Sequence, residues 1–185
     1  MRDKESIPQF PSNIAVALVH SPVLNRKGET STTAITSIDI HDFARSCAFY
    51  GVGSVYLVHP AEGMHALMGD ITAYYSGGAG GQRNPGRKEV LKAVETAYSL
   101  EEVQAEGDYQ LWYTSASAPD NGMIDVSKLK EIKGNHLIVL GTGWGLDVEH
   151  LPAPNGWLSP IEGIGMVRHL SVRAALAIYL DRLTR

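Results

Sequence analysis

Residues 136–146 read His-Leu-Ile-Val-Leu-Gly-Thr-Gly-Trp-Gly-Leu, an apolar run of strand length that empties into alternating glycines at Gly141, Gly143 and Gly145. Such glycines let a chain turn tightly and let backbone amides approach a ligand with no side chain between them. A second short apolar piece follows and ends in Pro160-Ile-Glu-Gly163. Two turns set close together suit a bound small molecule better than they suit packing alone. The spacing is not the Gly-x-Gly-x-x-Gly of a dinucleotide fold, and it lacks the Lys of a phosphate loop. From these residues alone, a ligand cradle and a pair of plain tight turns both stand.

The other reactive side chains are dispersed. Seven histidines occur without Cys-x-x-Cys or His-Glu-x-x-His spacing, so no metal site is expected. Cys47, the single cysteine, falls on the apolar side of a helical repeat and reads as a packed thiol. It excludes an intrachain disulfide and fits a reducing compartment.

The elements that would position these residues alternate. Ile14 to Val19 is a continuous apolar run, the pattern of a strand covered on both faces. A polar loop over residues 21–33 leads to a helix over 40–50, with Asp39 as its cap and Gly51 as its stop. Residues 55–58 form the next strand, and strand, helix, strand units make parallel sheet. A helix over 64–74 precedes the glycine-rich residues 76–85, read as a mobile loop. Asn84-Pro85 opens a helix to about residue 94, residues 95–99 read as a short strand, and Ser99-Leu-Glu-Glu102 is a capping box. A strand over 109–114, a turn at Asp120-Asn-Gly122, a short helix over 127–132 and a closing helix over 170–183 complete the chain. That last helix is apolar almost all round at its middle, as expected where one face meets a sheet and another a partner subunit.

At 185 residues, 44% hydrophobic and 19% charged, the chain reads as one α/β domain over residues 13–185 behind a flexible leader, residues 1–12. Its apolar runs are too short for a bilayer and no secretory h-region is seen, so the expected location is cytoplasmic. A net charge of -4 argues against a general polyanion binder and leaves room for a local basic patch.

The three glycine-bearing segments together carry a resemblance. Leu-Gly-Thr-Gly-Trp-Gly-Leu, Pro-Ile-Glu-Gly and His-Leu-Ser-Val-Arg-Ala-Ala-Leu-Ala-Ile resemble the second and third motifs of the SPOUT RNA methyltransferases. Asp39-Ile-His-Asp-Phe-Ala-Arg45-Ser-Cys-Ala-Phe-Tyr-Gly51 is similar to their first motif. The resemblance implies a parallel-sheet α/β/α sandwich with a C-terminal deep trefoil knot, S-adenosyl-L-methionine as methyl donor, a homodimer, and tRNA or rRNA methylated at a base nitrogen or a ribose oxygen. Carried over by position, the cofactor contacts are Thr114, Ser115, Gly141, Thr142, Gly143, Gly145, Leu146, Pro160, Ile161, Gly163, Leu170 and Ser171. Arg45 is the first choice for a functional side chain, holding a phosphate or favouring ionisation of the acceptor, and His169 is a candidate proton acceptor. Arg83, Arg87 and Lys88, beside the glycine-rich loop, are candidates for RNA contact. The sequence departs from the usual pattern at Gly143 and Trp144, where a Glu is common, at Asp39, where an Asn is usual, and at His169, again in place of Asn. The alternatives are a non-catalytic RNA-binding relative of the same fold and a different nucleotide-binding α/β enzyme.

Overall fold

The structure is a computed structural model that describes residues 10–117 and 122–185. Its centre is β1 (Ile14–Val19), which has no polar side chain and is buried along its whole length. β1 lies between β4 (Val55–Val58) and β8 (Asn135–Gly141), with Val16 opposite Val55 on one side and Ile138 on the other. Both neighbours run parallel to it. With β5 (Val94–Ala97), β6 (Tyr109–Tyr113), β7 (Met123–Ile124) and β9 (Gly156–Leu158), they make a seven-stranded parallel sheet in the order β5-β4-β1-β8-β6-β9-β7. A strand covered on both faces has no reason to alternate polar and apolar residues. Ile14, Val16 and Leu18 enter one core layer, and Ala15, Ala17 and Val19 enter the other.

The first layer is closed by α1 (Ala44–Tyr50), α2 (Glu62–Ser76), α4 (Pro85–Leu91) and α6 (Val172–Thr184), which contribute Cys47, Met68, Leu91, Leu176 and Leu180. The second holds Leu100 and Val103 of α5 (Leu100–Gly107) together with Leu146 and Leu151. Cys47 is fully buried, and burial pushes its thiol up to about 12, as expected of a packed group. In α6, Leu176, Tyr179, Leu180 and Leu183 are buried while Ala174, Ala177 and Ile178 stay half-buried.

Three local readings change. Residues 21–33 form a hairpin of β2 (Val23–Leu24) and β3 (Thr30–Ser31), turned by the Asn25 side chain, which accepts from the amides of Lys27 and Glu29. The polar composition concealed it because each strand is only two residues long. Asp39 does not cap its helix: Thr36 does, with Asp39 as the reciprocal member of a capping box whose carboxylate accepts from the Thr36 amide at 3.2 Å. The glycine-rich stretch is a helical turn, α3 (Ala79–Arg83), packed against α2. A Cβ on Gly80 would collide with the Tyr74 ring, and one on Gly81 with the Tyr75 carbonyl. These glycines therefore permit close approach.

The turn expected at residues 120–122 lies largely outside the described residues, as does most of the expected leader. Among the described residues, no helix is long and apolar enough to cross a membrane. No group of three or more His, Cys, Asp or Glu side chains that could hold a metal ion occurs among them.

Candidate active site

In an open parallel sheet, ligands bind beyond the carboxyl ends of the strands, where the order of connections reverses. Here β1, β8 and β6 are adjacent, and their carboxyl ends open on a cavity of about 1270 Å³. His20 follows β1, Gly141 ends β8 and Thr114 follows β6; all three line it.

One wall is the glycine turn. Thr142 donates its amide to the Val19 carbonyl at 3.1 Å, and the Gly145 amide closes back on Thr142 at 3.1 Å. The hairpin clamps the same turn from outside, with Trp144 amide to Leu24 carbonyl and Leu24 amide to Gly145 carbonyl both at 2.9 Å. Gly143 has φ +59°, and a Cβ there would lie 2.8 Å from the Leu24 carbonyl oxygen. The requirement for glycine is thus set by the hairpin as well as by any ligand. The amides of Thr142, Trp144 and Gly145 are engaged within the protein, which leaves less of the turn for reading a ligand edge than its sequence implies. Beyond the turn, Asp147 is buried and accepts from the Thr30 hydroxyl at 2.6 Å and meets His150 at 3.0 Å. The Thr30 hydroxyl, then His150, hold its carboxyl below the usual value.

The second wall is the segment 160–173. The Tyr179 hydroxyl donates to the Ser159 carbonyl at 3.1 Å and so fixes the start of the Pro160 loop on α6. Ser171 caps α6, accepting from the Ala174 amide at 3.3 Å. Between them, Ile164, Met166 and Val167 are exposed.

The third wall is built from the end of β1, the segment leading into the first motif and the start of α6, and is not expected from the sequence. His20, Thr33, Thr36, Asp39 and Arg173 all border the cavity. Arg173 donates to Asp39 at 2.9 Å and approaches Asp42 at 3.8 Å. His20 is 1% exposed, and burial pushes its imidazole down to about 4 despite the nearby Asp39. A signal for it exists, because the residue after a doubly buried strand in a parallel sheet stands where ligands bind.

Among the cofactor candidates, Thr114, Ser115, Gly141, Thr142, Gly143, Gly145, Pro160, Ile161, Gly163, Leu170 and Ser171 line this one cavity. Leu146 does not; it is packed in the second core layer and bridges to Val23. His169 lines the cavity and lies beside Trp144, ring centroids 6.4 Å apart. Trp144 is 62% exposed, unusual for the largest apolar side chain. Arg45 is exposed on α1 and does not border the cavity, nor do Arg83, Arg87 and Lys88. Arg45 and Arg87 belong to a separate group: Arg87 donates to the Tyr75 hydroxyl at 3.2 Å with its guanidinium over that ring, and His41 meets the ring edge-on at 5.3 Å. Burial, Arg87 and Arg45 together push the His41 imidazole below its ordinary value.

Residues 13–185 match a protein-family model described as SAM-dependent RNA methyltransferase. A tRNA (guanine-N(1)-)-methyltransferase of Nitratidesulfovibrio vulgaris is 32% identical over 177 residues, which are 92% of this chain and 42% of that protein. An uncharacterized protein of Aquifex aeolicus is 33% identical over 180 residues, covering 92% of this chain and 88% of its own. The chain thus spans about two-fifths of the length of the curated tRNA methyltransferases it matches and most of the Aquifex relative. Among solved structures, a TrmH/SpoU tRNA modifying enzyme of A. aeolicus superposes with a TM-score of 0.58 at 15% identity, over 96% of this chain and 76% of that one.

Proposed function

The chain belongs to the SAM-dependent RNA methyltransferase family, and from that membership we propose that it transfers a methyl group from S-adenosyl-L-methionine to a base nitrogen or ribose oxygen of tRNA or rRNA. The observation that carries the proposal is the convergence of three sequence-distant segments, residues 33–39, 141–145 and 160–173, on one cavity at the carboxyl edge of the sheet. The residues fit the group. A glycine turn bare of side chains and an apolar rim of Leu140, Ile161 and Leu170 suit adenine, and the polar remainder of the cavity suits a ribose and an amino acid tail.

When bound, the donor supplies an electrophilic methyl carbon on a sulfonium, and the reaction is an in-line displacement that depends mainly on placing the acceptor. In this reading the turn at 141–145, the loop at 160–163 and Leu170 and Ser171 hold the donor, and Thr114 and Ser115 close the side between them. Arg45 and His169 remain the proposed functional side chains. Arg45, on the outer face of α1, reaches an acceptor only if that acceptor, or a second protomer, comes to it. A homodimer is therefore part of the proposal, supported by exposed Phe49 of α1 and the half-buried flank of α6. Arg83, Arg87 and Lys88 are proposed to contact the RNA backbone. The deep trefoil knot expected of the fold belongs to the same reading, with the chain after β9 threading to reach α6, as does a cytoplasmic location.

The tRNA named for the Nitratidesulfovibrio relative makes tRNA the first substrate to try. Titration calorimetry with the donor and with its demethylated product should give saturable heat, and tritiated donor should label tRNA or rRNA. Absence of heat with both small molecules would overturn the assignment. Heat without label in either RNA pool would leave the non-catalytic relative.

A further inference from the structure

Three hydroxyl and imidazole groups form an unbroken chain under the cavity floor. Thr142 Oγ1 donates to the Val19 carbonyl at 3.1 Å, Thr33 Oγ1 lies 2.5 Å from Thr142 Oγ1, and His20 Nδ1 lies 3.0 Å from Thr33 Oγ1. A carbonyl can only accept, so where Thr142 gives its hydroxyl proton to Val19 it accepts from Thr33, and Thr33 accepts from His20 Nδ1–H. In that direction the imidazole keeps a bare lone pair on Nε2; in the reverse one Thr33, which also lies 3.4 Å from the His20 carbonyl, donates to Nδ1 and Nε2 carries the proton. Nε2 is buried with no hydrogen-bond partner among the described residues, and His20 borders the cavity. An acceptor left unpaired in the interior costs roughly 1–3 kcal/mol, and a ligand donor that displaces the wall enough to reach it offsets that cost.

Resting on the methyltransferase reading above, we propose that His20 Nε2 accepts a hydrogen bond from the O–H or N–H of the nucleotide group that receives the methyl. Its place separates it from the donor's cradle. His20 sits with Thr33, Thr36 and Asp39 on the wall that leads into the first motif, while the glycine turn and the 160–171 segment form the other two walls. By holding the hydrogen of an acceptor hydroxyl, His20 turns an oxygen lone pair toward the methyl carbon; at a ring nitrogen it holds the hydrogen that must leave before the lone pair is free. It orients the acceptor and does not store its proton, since burial disfavours the imidazolium. As the bond to the methyl carbon forms and the methyl–sulfur bond breaks to leave a neutral thioether, the acceptor's proton passes to His169, the proposed proton acceptor on the same cavity, and on to water. The link through Thr33 to Thr142 also gives the acceptor wall and the glycine turn a shared hydrogen-bond chain.

The experiment uses the full chain with ¹⁵N-labelled histidine, the demethylated donor product, and unfractionated tRNA as the RNA probe. Long-range ¹H–¹⁵N correlation at neutral pH should show His20 protonated on Nδ1 and bare on Nε2, and adding tRNA should move the Nε2 resonance toward a hydrogen-bonded value. A proton on Nε2, or an Nε2 resonance indifferent to tRNA, overturns the proposal. In parallel, His20→Asn, which keeps a group at the Nδ1 position, should lower kcat with tRNA roughly tenfold or more, the loss of one hydrogen bond. His20→Gln, which returns an acceptor near Nε2, should recover much of it. Both should still bind the demethylated product, because the glycine turn keeps its own amide bonds to Val19 and Leu24 when the link through Thr33 is altered. Equal losses in the two variants would also overturn it. Calorimetric heat with the demethylated product tells the two failures apart: its absence removes the methyltransferase reading, whereas its presence beside an unresponsive Nε2 removes the role of His20 alone.

Discussion

Asp39 and Arg173, 134 residues apart in sequence, meet at 2.9 Å with the carboxylate buried, and so tie the first motif to the start of the last helix. The same carboxylate holds the Thr36 amide and hydroxyl, so it organises one cavity wall while the pair anchors another. Arg173→Met leaves Asp39 without its cation, and the expected loss is about 2 kcal/mol, below that of a fully buried pair because Arg173 is a third exposed. The double variant Asp39→Asn with Arg173→Met should recover part of this. Urea unfolding of the four combinations gives the coupling directly, and a coupling near zero would show the pair to be incidental.

Gly143→Ala tests the clamp between hairpin and turn. A left-handed φ costs an alanine roughly 1 kcal/mol, and displacement of the Leu24 carbonyl adds to that. We expect a lower melting temperature and at least tenfold weaker binding of the demethylated donor product by calorimetry. Gly28→Ala is the control: its φ is +79° but nothing lies within 4 Å of the new carbon, so only stability should fall.

Gly81→Ala separates a packed turn from a flexible linker. A linker would tolerate alanine and a helix would welcome it, being favoured by roughly 1 kcal/mol. Collision with the Tyr75 carbonyl predicts the reverse, namely destabilisation together with faster amide exchange over α3. Unchanged or slower exchange would restore the linker reading.

The sheet is legible in the sequence because its strands are continuous apolar runs, and Ile14 to Val19 needs no tertiary knowledge. The two glycine turns are legible for the same reason: each follows such a run. What escapes depends on long-range contact. The hairpin strands are too short to carry a period, and the tyrosines that hold residues 79–83 lie outside the glycine run itself. His20 reads as an ordinary residue after a strand until Thr33 and Thr142 are brought beside it. Arg45 is singled out by a motif, and a motif does not say whether a side chain faces its own cavity.

Replacing Arg87 or Lys88 by Glu should weaken tRNA binding and reduce the salt dependence. Each phosphate that is no longer neutralised lowers the slope of log K against log salt by about 0.7–0.9, or somewhat more if the new charge repels. Filter binding across a salt series gives the number; unchanged slopes would place the RNA elsewhere. Arg87→Glu also removes the hydrogen bond to Tyr75, so Lys88→Glu, with an exposed parent side chain, is the cleaner of the two.

Acid should destabilise the fold well before its carboxylates titrate. His20 is held neutral down to about 4, whereas in the unfolded chain it takes up a proton near 6.5. Above pH 6.5 both states are neutral and the group has no effect. As pH falls from 6.5 toward 4 the unfolded state alone binds the proton, so stability is lost progressively, by roughly 3 kcal/mol at the end of the window. Below it, both states are charged and the loss stops growing. His41 and His59, also lowered chiefly by burial, act in the same direction. Asp147, held low, adds its own loss only below about pH 4. Urea midpoints measured from pH 7.5 to 4 should therefore fall steadily in the parent and less steeply in His20→Gln. Parallel curves would mean that His20 takes up its proton at the same pH in the folded and unfolded chain, so that burial does not hold it neutral as its proposed role requires.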